Sequence, residues 1–373
     1  MNKLNRYAAL VLVGFAIAAG VSVWTNSVEA QQDSPAPVVD PTPPPLGPPP
    51  VIDESDDVIE IDSEVVNVLF TAQDRERRLL TNLKAQDVTI FENGARQEIV
   101  TFMRRVDLPL SLTILIDTSL SQIRTLPDEK EAAKSFLESV VRPSKDEVAI
   151  ISFSGEATLE QGMTNNVARL RRAIDRVAFA PPAGYVGGGV VVGTPPASGN
   201  NQQVSQSTAI WDSVWVTSEE VLGPAPEGTR RAIILLSDGA NTYGTKDLKD
   251  AVNAALKAEA VIYSIGIGDN FYRGVDKGAL RKLSENTGGR AFFPRDESEL
   301  RNAFTQIQEE MRSQYLLAYE PLDQNQDGTY RKIEIRVANE ALNRQKIRLT
   351  HREGYFAKSK PQSKTTTRPR KTN

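Results

Sequence analysis

The sequence predicts an α/β fold: a doubly wound, mostly parallel sheet, with a small β-sandwich-like appendage built from the strands that flank it. Three observations predict this. From Leu108 to Pro321 short apolar runs alternate with helical patterns, and such alternation forms a parallel sheet covered on both faces. Two of the runs, Leu112 to Ile116 and Arg231 to Asp238, lead into carboxylates, Asp117 and Asp238. On either side, at 64–103 and 314–350, the pattern changes to β-rich segments, each too small for a core of its own.

The chain is organised around Ser111 to Ser121, SLTILIDTSLS. Leu112 to Ile116 reads as a buried strand. It stops where Asp117, Ser119 and Ser121 begin, in the pattern D-x-S-x-S. In an open α/β sheet, ligands bind beyond the carboxyl ends of strands. One carboxylate and two hydroxyls at alternate positions suit a hard cation that prefers oxygen ligands, as magnesium does. Two later stretches supply what this loop lacks. Thr208 stands at the start of a helical pattern in STAIWD, and Asp238 follows a strand and precedes Gly239.

In this order and strand context, D-x-S-x-S, S-T-A-I-W-D and L-L-S-D-G resemble the von Willebrand factor type A (VWA) domain, a Rossmann-like fold. The wider wording, including LSENTGGRAFFPRDESEL, MRSQYLLAYEP and the upstream LKAQDVTIFENGARQEIVTF, resembles bacterial exported VWFA-related proteins from residue 64 to about 357. The resemblance implies a metal-ion-dependent adhesion site (MIDAS) at Asp117, Ser119, Ser121, Thr208 and Asp238. In that family the two serines and the threonine contact the ion, the aspartates mostly hold its waters, and a partner's carboxylate takes the remaining position. Leu120 departs from the pattern, since glycine is common there. Asp212, four residues after Thr208, is either a second-sphere support or a helix-face carboxylate.

The chain has 373 residues, 40% hydrophobic and 25% charged, with a net charge of -4. This is an ordinary soluble composition, and it points to no nucleic-acid partner. The absence of cysteine excludes disulfides, thiolate chemistry and cysteine zinc sites. Residues 1–30 read as a signal peptide: Lys3 and Arg6, an apolar stretch from Tyr7 to Trp24, then Val28-Glu29-Ala30. The alternative is an uncleaved membrane anchor. Either way the chain is expected outside the cytoplasm, periplasmic or extracellular, with no membrane span after cleavage.

Residues 31–63 form a linker. Nine of the 22 prolines lie between Ser34 and Pro50, and seven acidic residues between Asp53 and Glu64. The first stretch predicts an extended polyproline-type spacer. A β-element spans 64–107, with a hairpin turn at Asn93-Gly94 and a return strand from Ala95 to Phe102. The VWA domain spans 108–320, interrupted by a Gly/Pro-rich insertion at 180–206. Helices are expected at Glu129–Val141, Asn166–Val177, Thr208–Leu222, Leu248–Ala258 (capped by Thr245), Asp276–Asn286 and from Glu297 to about Ser313, where Asp296 and Glu299 make a capping box. A short edge strand is expected at 157–159. C-terminal strands occupy 321–357, and those at 330–337 and 345–350 are expected to pair with the 64–103 hairpin at the root of the domain. The tail, 358–373, has six basic residues and no acidic ones and reads as solvated.

Two further stretches bear on chemistry. Asp323 to Glu334 matches D-x-[DN]-x-[DN]-G-x5-E, a calcium-loop pattern that would use Asp323, Asn325, Asp327 and Glu334. That pattern needs helix-loop-helix context, and a strand follows here, so a hairpin turn explains the same residues. His351 is the only histidine, and no G-x-S-x-G, H-E-x-x-H or Walker sequence occurs. The expectation is a non-enzymatic exported protein that uses Mg2+ or Mn2+, with Ca2+ a lesser candidate, to bind an Asp or Glu of a protein partner. The alternative is a structural or assembly component of the envelope whose metal site is vestigial or only stabilising.

Overall fold

The computed structural model describes residues 65–104, 107–179, 185–186, 190–191, 207–268 and 274–359. The expected signal peptide, the expected linker, most of the 180–206 insertion and the basic tail beyond Ser359 lie outside them. The first strands are β1 (Val66–Gln73), β2 (Val88–Glu92), β3 (Ala95–Gln97) and β4 (Ile99–Arg104). Asn93 and Gly94 both have positive φ, 48° and 85°, as a two-residue hairpin turn requires. The expected single return strand is two strands. β3 pairs with β2, and β4 crosses to a different sheet.

β5 (Leu110–Asp117) is buried at every residue, the signature of a strand covered on both faces. α1 (Leu126–Val140) begins three residues before its expected start, with a proline in its first turn, where the missing N–H costs nothing. Next come β6 (Glu147–Phe153), β7 (Ala157–Thr164), α2 (Val167–Arg176) and a small hairpin of β8 (Tyr185–Val186) and β9 (Val190–Val191). β7 runs eight residues, far longer than the expected edge strand, and is antiparallel to β6. α3 (Ile210–Val216) continues as a π-helical turn over Thr217–Leu222. β10 (Arg230–Ser237), α4 (Leu248–Lys257), β11 (Ala260–Gly266), α5 (Lys277–Asn286), β12 (Ala291–Phe292) and α6 (Glu297–Arg312) complete the alternation.

The central sheet has the order β12-β11-β10-β5-β6-β7. All its pairs are parallel except β6 with β7. Ile114, Ile116, Ile234 and Leu236 face the layer of α1, α2 and α6. Leu115, Ile233 and Leu235 face α3, α4 and α5. Each such fully buried side chain contributes about 1.5–3 kcal/mol. After β5 the chain moves to β6 on one side, whereas β10 lies on the other side and leads outward to β11 and β12. The winding therefore reverses between β5 and β10. The loops beyond their carboxyl ends form the switch point, and open α/β sheets take ligands in the crevice at such a point.

The remaining elements are β13 (Tyr315–Tyr319), β14 (Tyr330–Val337), α7 (Glu340–Arg344), β15 (Arg348–His351) and β16 (Gly354–Phe356). With β1 to β4 they make two four-stranded antiparallel sheets, β15-β1-β13-β4 and β16-β14-β2-β3. Val68, Phe70, Ile90, Leu317 and Ile335 share the core between them. The expected partners meet: β14 pairs with β2, and β15 with β1. The pairs fall in different sheets, however, and β13 fills the middle of one. The sandwich is tied to the amino-terminal ends of the parallel strands. Arg352 donates to Asn67 O at 2.8 Å and to Glu259 at 3.1 Å, next to the start of β11. Glu353 N donates to Asn286 O at 3.0 Å, and Gln73 Nε2 to Glu310 at 3.0 Å. A Cβ at Gly288 (φ 88°) would come within 2.6 Å of Arg352 N, so this junction needs glycine. The sandwich thus sits at the opposite end of the sheet from Asp117 and Asp238.

His351 lies in this sandwich. Its Nε2 accepts from Ile335 N at 3.2 Å, so its Nδ1 carries the proton and donates to Arg352 O at 2.7 Å. Burial lowers its pKa below the ordinary 6.5. The unfolded chain therefore takes up a proton before the folded one does. The stability from this group is complete above about pH 6.5 and is lost as pH falls below it. Denaturant unfolding at pH 7.5 and 5.5 should show lower stability at 5.5 in the wild type, with a smaller difference in His351→Gln. Equal differences would remove His351 as the cause.

Candidate metal site at the sheet switch point

Asp117 ends β5 with no exposed surface. Its two oxygens are engaged from different elements. Ser119 N donates to Oδ1 at 2.9 Å, and the Ser237 hydroxyl, at the end of β10, donates to Oδ2 at 2.6 Å. Ser119 Oγ and Ser121 Oγ lie 3.1 Å apart, so the two hydroxyls already converge. Thr118 is turned away: its N and Oγ1 both donate to Phe153 O, at 2.7 and 3.0 Å. Alternation along the loop thus separates the site residues from the anchoring residue. Leu120 opens a 3-10 turn, Leu120–Gln122, and costs no donor atom.

Asp238 follows β10. Its Oδ1 accepts from Ala240 N at 2.9 Å, and its backbone oxygen accepts from Asp276 N at 2.7 Å. Thr208 is held from both sides. Thr242 Oγ1 accepts from Thr208 N at 2.8 Å, and Thr208 O accepts from Thr242 N and Tyr243 N. Next to it, Ala209 N donates to Ser154 O at 2.7 Å. These bonds tie the Thr208 segment to the loop after Asp238 and to the end of β6, where Thr118 is anchored. Asp212 supports that loop: its carboxylate accepts from Thr245 N, Lys246 N and the Thr245 hydroxyl at 2.9–3.1 Å. Burial raises its pKa, but these bonds outweigh burial and leave it below the usual range. Thr245 is thereby committed to Asp212, and the cap of α4 is Asp247, in a reciprocal box with Asp250. This corrects the sequence expectation of a Thr245 cap.

Electrostatics favour a cation here. Burial raises the Asp117 pKa to about 7, against the bonds from Ser119 and Ser237 and with Asp238 adding repulsion. A cation beside the buried Asp117 carboxyl would favour its ionised form. Among the described residues no group of three or more His, Cys, Asp or Glu is arranged to hold a metal. A donor set drawn from these residues would depend on hydroxyl oxygens, which suits a hard divalent ion.

Two residues of this region escaped sequence reasoning. Ser237 bridges Asp117 and the Gly239 N–H, yet in L-L-S-D-G it reads as one more strand residue. Glu129 in the sequence marks only the expected start of a helix, but it is fully buried on α1. Burial raises its pKa to about 8, a nearby Thr125 opposes this, and Asp117 and Asp238 add to it.

The calcium-pattern residues are arranged as a turn and a strand. Asp323 and Asp327 accept from Asn325 N and Thr329 N, each two residues on. Glu334 lies within β14 and pairs with Arg336 at 2.6 Å. Asn325 O accepts from Arg331.

A doubly wound, mostly parallel sheet with hydroxyls and carboxylates gathered at its switch point defines a domain of the open α/β class. Two von Willebrand factor type A domain profiles match the chain, over residues 112–194 and 200–306. The protein carries a von Willebrand factor type A domain. Among solved structures, proximal thread matrix protein 1 from the mussel byssus is 20% identical over 59% of this chain and 51% of its own, with a TM-score of 0.43. Another structure of that protein, described with a zinc-occupied MIDAS motif, is 16% identical over 56% and 49%, with a TM-score of 0.42. An aerotolerance-related membrane protein from Bacteroides fragilis NCTC 9343 is 16% identical over 54% and 100%, with a TM-score of 0.41. This chain spans about half the length of the mussel protein. No curated protein matches it. Among the described residues no helix is long and apolar enough to cross a membrane.

Proposed function

We propose that this is an exported binding protein whose VWA domain holds one divalent cation, Mg2+ or Mn2+, at Asp117, Ser119, Ser121, Thr208 and Asp238. The cation presents an open position to an Asp or Glu of a protein partner. The observation that carries this reading is the arrangement at the ends of β5 and β10. A fully buried carboxylate, held by Ser119 N and Ser237, stands beside two hydroxyls 3.1 Å apart at the winding reversal. The ion would supply Lewis acidity toward the partner's carboxylate. The chain's own work is to keep the serine hydroxyls convergent and to hold Asp117 rigid from both β5 and β10.

Residues 108–320 form the binding domain in this reading, flanked by β-elements at 64–107 and 321–357. Residues 1–30 direct export. The activity is binding and not turnover: both ring nitrogens of His351 are engaged inside the sandwich, at the far end of the sheet from the crevice. Calorimetric titration of residues 31–373 with Mg2+ and Mn2+ tests the reading, and one-site binding is the expected result. Partner capture should then require the ion and reverse on addition of EDTA. Neither heat nor a thermal shift with either ion would favour a structural component of the envelope instead. Calcium at Asp323, Asn325, Asp327 and Glu334 is a secondary proposal, carried by the sequence pattern alone. A second, calcium-only heat that survives Asp117→Ala and disappears in Asp327→Ala would support it.

A further inference from the structure

The inner face of α1 is apolar at Leu126, Ala132, Ala133, Phe136, Leu137 and Val140, as an amphipathic helix against a sheet should be. Glu129 breaks that face. It has no exposed surface, and neither of its carboxyl oxygens has a hydrogen-bond partner within the protein. Thr125 lies near enough to act on its charge, yet the Thr125 hydroxyl donates to Gln122, at 2.9 Å to Oε1 and 3.2 Å to O. A buried carboxyl without partners destabilises a fold unless something completes it.

Its surroundings point to what completes it. The charges of Asp117 and Asp238 both act on Glu129. Seven residues before it, in the 3-10 turn that leads into α1, Gln122 is fully buried and donates to Ile267 O at 3.0 Å. Ile267 N donates to Ser237 O at 3.2 Å, and Ser237 holds Asp117. The start of α1 is thus bonded to the same strand ends that build the crevice. The three carboxyls are nevertheless not grouped closely enough to hold one ion directly. We infer that Glu129 is a positioning residue of the cation site, holding an ion-bound water from the interior side of the loop. This rests on the cation reading above and deepens it. The site then has a third carboxyl of its own, and the free ion binds before any partner arrives.

The test uses the full chain, with MnCl2 and MgCl2 as probes, in wild type, Glu129→Gln, Glu129→Met and Asp117→Ala. Calorimetry gives affinity. Water-proton relaxation of bound Mn2+ reports on its waters, which a purely structural role would leave unchanged. The expected result is that Glu129→Gln melts in EDTA no lower than wild type, binds Mn2+ about ten- to a hundredfold more weakly, and changes the relaxation of the bound ion. An affinity within twofold of wild type with unchanged relaxation, while Asp117→Ala abolishes binding, would overturn the role of Glu129 and leave the cation site standing. If wild type binds neither ion, the site itself fails and takes this inference with it. If Glu129→Gln does not fold, Glu129→Met is read by the same criteria. Failure of both to fold would assign Glu129 to stability alone and overturn the proposal.

Discussion

Asp117→Ala abolishes cation binding: the heat of Mn2+ titration disappears, and the thermal shift produced by the ion disappears with it. Asp117 joins the two strand ends at the switch point. Its Oδ1 fixes the turn that brings the serine hydroxyls to 3.1 Å, and its Oδ2 fixes Ser237 at the end of β10. The substitution removes charge and loop geometry together, so the loss should exceed a hundredfold. Removing a carboxylate that only filled the interior would leave the ion response unchanged. In EDTA the variant should lose little stability, since the alanine also removes a carboxyl whose ionised form is disfavoured by burial and by Asp238. Retained Mn2+ affinity in a folded Asp117→Ala protein would refute the assignment.

Glu92→Ala destabilises the protein by about 3–5 kcal/mol, because it removes the buried partner of a buried guanidinium and leaves it only the exposed Asp323 carboxylate, 3.6 Å away. Arg331 and Glu92 are both almost fully buried between the two antiparallel sheets, 3.4 Å apart. Glu92 Oε2 also accepts from the Tyr319 hydroxyl at 2.7 Å and the Tyr355 hydroxyl at 2.9 Å. Burial, then the bond to Glu92, raises the pKa of both phenols, so they remain donors. Arg331 is further bonded to the backbone oxygens of Asp323 and Asn325. One carboxylate therefore organises three partners drawn from β13, β14 and β16. Denaturant unfolding of Glu92→Ala measures the cost. The pair Glu92→Leu with Arg331→Met should recover much of it, since apolar replacement of both partners removes the stranded charge. A cost below about 1 kcal/mol for Glu92→Ala would show that the cluster is not load-sharing.

The central sheet was legible in the sequence because its strands are buried on both faces and read as unbroken apolar runs. Its carboxyl ends were legible because polarity changes abruptly there, at Asp117 and again after Leu236. β7 was legible only as a short edge strand at 157–159, since ATLEQGMT is exposed or half-buried throughout and carries no alternation that marks its full length. The split of the return strand at Glu98 was hidden for a different reason. Period-two alternation fixes which face a residue takes, but not which of two stacked sheets the strand joins. Thr245 and Asp247 are both cap-forming residues two positions apart. Only the position of Asp212, brought in from 33 residues away, decides between them. Ser237 and Glu129 share one difficulty. A polar residue inside an apolar pattern reads as a tolerated exception until its neighbours across the fold are known.

The sandwich has a mechanical consequence. β1 enters from the amino-terminal side of the VWA domain, and it is laddered to β13 and β15, which leave on the carboxyl-terminal side. A pull applied between residues 65 and 359 therefore loads this ladder first, while the parallel sheet hangs outside the line of force. The crevice at the far end stays slack until the ladder parts. Tension on the chain and traction by a bound partner thus follow separate routes through the molecule, and they meet at the junction where Arg352 grips Asn67 and Glu259 and Gln73 grips Glu310.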